Sequence, residues 1–255
     1  MADKKETSQF PSEVIDLPSG GAVYPTDSTL SSGKIEIKYM TAKEEDILTS
    51  QNLIKKGLVL EKLLNSLIIT PGVNVDDMIL GDKNAVMVAA RILAYGSEYN
   101  AEILSPSGET VNHIFDLSDC PFKELPNDID YSDNNFELTL PASKIKVKFK
   151  LLTGKEEKEI DKEIKSISKT GVEVVPELTT RLKYCITSVD DNSDSSYIRH
   201  FIDNQLLSRD SIILRQEIQR LSPDIELTQD VEMEGETVRV DIPMTVNFFW
   251  PTART

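Results

Sequence analysis

Apolar and polar residues alternate at period two through "KIEIKYM", residues 34–40, and the alternation stops at Thr41 with Glu44 three residues on. Alternation reads as a strand, and the Thr-x-x-Glu spacing is a capping box that opens a helix. The helix carries Ile47, Leu48 and Leu53 as far as Gly57, a C-cap, and a further apolar segment, "LVLEKLLNSLIIT", is closed by Pro71 and Gly72. In residues 78–104 Val86, Ala89, Ala90 and Leu93 fall at i, i+3, i+4 and i+7, the stripe of an amphipathic helix, and the chain then becomes extended.

The same pattern returns later in the chain. "KIKVKFKLLT" alternates again, Thr153 and Glu156 repeat the capping box, and Ile160, Ile164 and Ile167 supply a helical face. Residues 205–229 parallel residues 78–104, with Leu214, Ile218 and Leu221 as the stripe. "GETV" occurs at Gly108–Val111 and at Gly235–Val238, each copy between extended segments, and reads as the turn of a β-hairpin. The offset is 235 − 108 = 127 for this turn, 127 again for Leu80 to Leu207, and 153 − 41 = 112 for the capping threonines, so the connections within the unit differ by 15 residues. "LPSG" at 17–20 and "LPAS" at 140–143 introduce the two strands.

These correspondences predict an α+β fold made as a tandem pseudo-repeat, each half a small antiparallel β element with a helical cluster. The expected divisions are a flexible N-terminal tail over 1–16, a first repeat over 17–125, a linker over 126–139 rich in Pro, Asn and Asp, and a second repeat over 140–255 that ends in a C-terminal strand. Two copies with a period above 100 residues form a pseudo-symmetric pair and not a solenoid.

The balance of 28 basic against 43 acidic residues, net −15, repels phosphate backbones and anionic headgroups, which argues against nucleic acid as a partner. "KIKVKFK" is a local exception that could meet an acidic partner or simply be solvated. The N-terminal residues contain no apolar core of a signal peptide, and no stretch approaches the roughly 18–20 apolar residues of a membrane span, so a soluble product made in the cytoplasm is expected.

Candidate chemistry is sparse. His113 has Asp116, Asp119 and Cys120 nearby in sequence, but without a second His or a CxxC, and with strand spacing that scatters the side chains, a metal or catalytic cluster is not expected. His200 falls on a helix between Arg199 and Phe201 and reads as structural. Asp190, Asn192 and Asp194 open like a calcium loop, yet Ser195 stands where the loop needs Gly and Phe201 where it needs a bidentate Glu. Cys120 and Cys185 are far apart and read as structural or free thiols. No phosphate-cradling glycine motif occurs, and the Glu-rich runs lie at helix first turns, where they favour the helix dipole. Hence no catalytic, cofactor-binding or metal-binding residue is assigned, and no enzyme is expected. A hydrolase or nuclease remains only as a minor alternative, resting on the abundant acidic residues. Phe248, Phe249, Trp250 and Pro251 either anchor a partner or close the chain's own core.

"LPSGGAVYP", "GKIEIKYMTAKEEDIL" with "LIKKGLVLEKLL", "LPASKIKVKFKLLTGKEE" and "NFFWP" at 247–251, taken in order, resemble the baseplate hub proteins of T4-type contractile-tailed bacteriophages over about residues 17–251. The resemblance implies a non-catalytic role in building the tail, as a hub subunit or hub-assembly factor. Its implied partners are other tail and baseplate hub proteins, and its implied location is the virion baseplate after assembly in the host cytoplasm; homo-oligomerisation is left open. A second reading is a transient tail assembly chaperone that binds the tape-measure protein and is absent from the virion. Many relatives carry a metal-binding cysteine pair after the central helix. The corresponding segments here, "AEILSPSGETV" and "TQDVEMEGETV", have no cysteine, so no zinc is expected.

Overall fold

The structure, a computed structural model, describes residues 11–244 and 246–249. Strand β1 (Ser12–Asp16) pairs antiparallel with β2 (Lys34–Lys38), whose Ile35 and Ile37 point into the core while Lys34 stays exposed. The expectation of a flexible tail over 1–16 therefore fails at its C-terminal end. Val14 and Ile15 favour extended backbone, and β2 offers them a ladder; residues 1–10 lie outside the described residues.

Three short helices follow: α1 (Ala42–Thr49), α2 (Gln51–Lys56) and α3 (Val59–Leu67). Ser50, with ψ 103°, breaks the one helix expected from Thr41 to Gly57, and Gly57 at φ 69° then ends α2 in the left-handed conformation. The chain pairs back onto β2 at Ile68, and a single turn at Val75–Asp77 leads to α4 (Leu80–Tyr95). α4 buries more than a stripe, including Ala85, Val86, Met87, Val88 and Ala90, because both halves of the chain cover it. A hairpin of β3 (Glu98–Leu104) and β4 (Thr110–Asp116) completes the half, with Gly108 at φ 86° in its turn.

The second half opens with β5 (Phe136–Thr139), which lies inside the segment expected to be a linker. Phe136 is what the polar surroundings conceal: it is buried against Tyr131 and Phe149 and fixes this strand to β6 (Lys146–Phe149). After α5 (Gly154–Ser168) and α6 (Glu177–Cys185), β7 (Ile186–Val189) adds a third strand to the sheet. Helices α7 (Ser195–Asn204) and α8 (Ser208–Leu221) precede the second hairpin, β8 (Thr228–Met233) and β9 (Glu236–Asp241), which turns at Glu234 and Gly235. β9 stops at Asp241 ahead of Pro243, and the last described element is a 3-10 turn, Val246–Phe249.

Mixed helix and small antiparallel sheets make this an α+β fold, with one main hydrophobic core drawn from both halves. Both capping boxes form: Glu44 accepts from the Thr41 N–H at 3.0 Å, and Glu156 from the Thr153 N–H at 2.8 Å. Lys38 reaches Glu44 and Lys150 reaches Glu156, both at the offset of 112 read from the sequence. Helices α4 and α8 begin after Ile79 and Leu207, one residue away from the Leu80-to-Leu207 match. That register puts Asp82 and Asp210 at the same helical position. Asp82 accepts from the Ser19 N–H at 2.9 Å, while Asp210 accepts from Ala142 at 2.8 Å and Ser143 at 2.9 Å, so each aspartate holds the loop that begins "LP".

Candidate interaction groove

Where the halves meet, the chain leaves a concavity of about 610 Å³. Its position follows from two close backbone approaches. Gly81, in the first turn of α4, lies so near the Pro223 carbonyl that a Cβ would sit 1.8 Å from its oxygen. Gly154, at the start of α5, donates its N–H to Met78 O at 2.9 Å. Lys158 reinforces this seam by reaching Glu61 and Asp76 at 2.7 and 2.6 Å. The hollow left beside the seam is lined by Leu151 and Leu152, by residues of α6 and α8, and by Leu80. In α6, Leu178, Leu182 and Cys185 fall at i, i+4 and i+7 and face it. Leu178 and Leu80, 44% and 37% exposed, are its most open apolar residues.

Charged groups form the rim. Arg181 holds Glu157 with both terminal guanidinium nitrogens, and Arg239 donates to the Thr228 hydroxyl at 2.9 Å and makes a longer contact, 3.4 Å, with Glu226. Lys123 donates to the Gln219 and Ser222 carbonyls at the end of α8, a cation placed at the negative end of a helix. Burial pushes the Cys185 thiol up to about 12 against the pull of Arg181, so it lines the groove as a small apolar group and not as a thiolate.

The residues weighed for chemistry are held by their own chain. His113 lies half-buried with its ring edge-on to Phe115 at 4.7 Å, on the opposite face of β4 from Asp116. Asp116 accepts from the Ser118 N–H and hydroxyl, which keep its carboxyl below the ordinary value; Asp119 is exposed and Cys120 is buried beside Gln229. His200 is exposed on α7, next to Asn204. Asp190 accepts from the Lys146 N–H, Asn192 from Asp194, and Asp194 caps α7 through Tyr197, so the calcium-like run is a turn that supplies its own hydrogen bonds. The basic strand is answered internally: Lys146 pairs with Glu137, Lys148 with Asp191 and Lys150 with Glu156. Among the described residues no group of three or more His, Cys, Asp or Glu is arranged to hold a metal ion, and no helix is long and apolar enough to cross a membrane.

At the C-terminus Phe248 and Phe249 are buried in the chain's own core, Phe248 edge-on to Tyr99 at 5.1 Å; Trp250 and Pro251 lie outside the described residues. The groove was not anticipated. Its one sequence signal was the Leu178, Leu182, Cys185 stripe in "ELTTRLKYC".

The fold and this hollow define an α+β protein with a largely apolar groove bordered by charged groups. A family model described as T4 bacteriophage base plate protein matches residues 15–250, both halves and the whole groove, and the chain belongs to that family. No curated protein and no solved structure matches it. Membership makes it a structural component of the phage tail baseplate, in contact with other tail proteins.

Proposed function

We propose that this protein is a non-catalytic component of the baseplate hub, a subunit or hub-assembly factor that works through protein–protein contacts, and that its chain arose by internal duplication. The observation that carries the reading is the groove, which sets exposed leucines beside rim charges and whose one thiol is held protonated. The matching capping boxes and the two aspartates on the "LP" loops support the duplication. In this reading the subunit is assembled in the host cytoplasm and retained in the contractile tail. Mass spectrometry of purified virions tests it: the protein should be present in stoichiometric amounts, and its absence would sink the structural role.

The net charge of −15 favours a second reading, a transient chaperone that covers apolar segments of the tape-measure protein while keeping the complex soluble. In that case the protein would co-purify with the tape-measure protein from infected cells and be missing from the mature particle.

A further inference from the structure

We infer that the groove receives an amphipathic helix from another tail protein, one whose apolar ridge is flanked by carboxylates. This rests on reading the groove as a contact surface and names what fills it.

The helical form follows from how the groove's backbone is used. Its rim segments 121–123 and 224–226 already pair with each other: Phe122 bridges Ile225, the Lys123 N–H donates to Asp224 O at 2.9 Å, and the Glu226 N–H donates to Pro121 O at 2.8 Å. The carbonyls that end α8 are taken by Lys123. An extended peptide would find these rim segments already paired, whereas a helix satisfies its own backbone and needs only an apolar channel. Leu178 on α6 and Leu80 at the start of α4, both exposed and both lining the hollow, offer that channel above the buried Leu182.

The carboxylates follow from a local reversal of charge. Over the chain acids exceed bases by 43 to 28, but the groove is lined by Lys123, Arg181, Arg215 and Arg239 against Glu157, Asp224 and Glu226. Glu157 is occupied by Arg181, and Asp224 accepts from Asn84 and from the Ile225 N–H. Arg215 spends its Nε on the Ser211 carbonyl and meets no carboxylate among the described residues, while Arg239 commits one terminal nitrogen to the Thr228 hydroxyl at 2.9 Å and, at 3.4 Å, to Glu226. Two guanidinium groups thus stand at the mouth with capacity for acidic partners. A second copy of this chain is the weaker fit, since two molecules of charge −15 repel at long range.

The test uses the full chain and two labelled synthetic helices, one with leucines along one face flanked by glutamates and its twin with every glutamate changed to lysine. Fluorescence anisotropy should show the glutamate helix binding at least about tenfold tighter, an Arg215→Glu/Arg239→Glu variant reversing that preference, and Leu178→Glu removing binding of both. Leu178, Arg215 and Arg239 are exposed, so all variants should keep the wild-type urea midpoint, which is checked alongside. Equal binding of the two helices, binding of neither, or a charge-reversed variant that keeps the wild-type preference would each overturn the inference. So would sedimentation showing a dimer that Leu178→Glu dissolves, because the occupant would then be a second copy. If neither helix binds yet the protein is found in purified tails, the occupant is wrong and the hub reading stands. If the glutamate helix binds but the protein never enters tails, the inferred occupant stands and the hub reading fails.

Discussion

Glu44 and Glu156 close matching capping boxes in the two halves, but their surroundings differ. Glu44 is fully buried and accepts from Lys38, Thr41 and Ser66; burial alone would raise its carboxyl, yet these hydrogen bonds outweigh it and hold the group down to about 2. Glu156 is 19% exposed at its side chain and accepts from Lys150 and Thr153 only, among the described residues. The difference lies in what packs over the box. In the first half α3 lays Ser66 across it, and the pair becomes an internal fastening; in the second half solvent reaches it and it serves chiefly as a helix cap. One local phrase therefore yields two energetic roles, decided by the neighbour above it.

That comparison breaks most sharply by substitution. Glu44→Ala should cost about 4 kcal/mol, because several buried donors lose their acceptor at once. Glu156→Ala should cost about 1.5 kcal/mol, a cap plus a partly exposed ion pair. Urea unfolding monitored by circular dichroism measures both, and equal losses would show that the fastening does not depend on burial.

A second contrast concerns the two helix starts. Gly81 in α4 and Arg209 in α8 hold the same position relative to their N-caps, Ile79 and Leu207. Gly81 is pressed against Pro223 and Asp224, while Arg209 is exposed. Gly81→Ala should cost about 3 kcal/mol, since the obstruction is backbone and cannot swing aside. Arg209→Ala should stay within about 0.5 kcal/mol. Because Gly81 and Pro223 also border the groove, Gly81→Ala should loosen whatever the groove holds, a change that binding of the labelled helix would register.

The capping boxes and hairpin turns were legible in the sequence because each is a local signal: a threonine with a glutamate three residues on, a glycine free to take positive φ. The strands β1, β5 and β7 were not. "SEVID", "FELT" and "ITSV" are short and become strands only when β2 or β6 supplies a partner. The groove was hidden for a stronger reason. Leu80, Leu151, Leu182 and Ile218 are far apart in sequence, and only docking of the 75–81 segment against α5 brings them together. Its glycines gave no warning, since a glycine required for close approach looks the same in sequence as one in an open loop.

The smallest expected effect is also the most specific, because it predicts opposite signs at matching positions. Burial raises the Asp82 carboxyl above 3.8, outweighing the Tyr24 and Ser19 donors, and the nearby Asp224 charge adds to the rise. At Asp210 the burial effect is smaller than the combined pull of the Ala142 and Ser143 donors and the charge of Arg209, so its carboxyl lies below 3.8. The cause is the connection between strands: residues 17–33 in the first half are long enough to fold Tyr24 over its aspartate, whereas residues 140–145 offer theirs only the Ala142 and Ser143 N–H groups and the Ser143 side chain. A raised carboxyl contributes stability that is complete below its unfolded value and is lost as pH rises through the folded one. A lowered carboxyl contributes stability that is complete above its unfolded value and is lost as pH falls through the folded one. The stability of wild type minus that of Asp82→Asn should therefore fall as pH is raised above 3.8, while the same difference for Asp210→Asn should fall as pH is lowered below 3.8. Urea midpoints measured between about pH 3 and pH 7 resolve the two slopes, and slopes of the same sign would mean that the longer loop does not set the first aspartate apart.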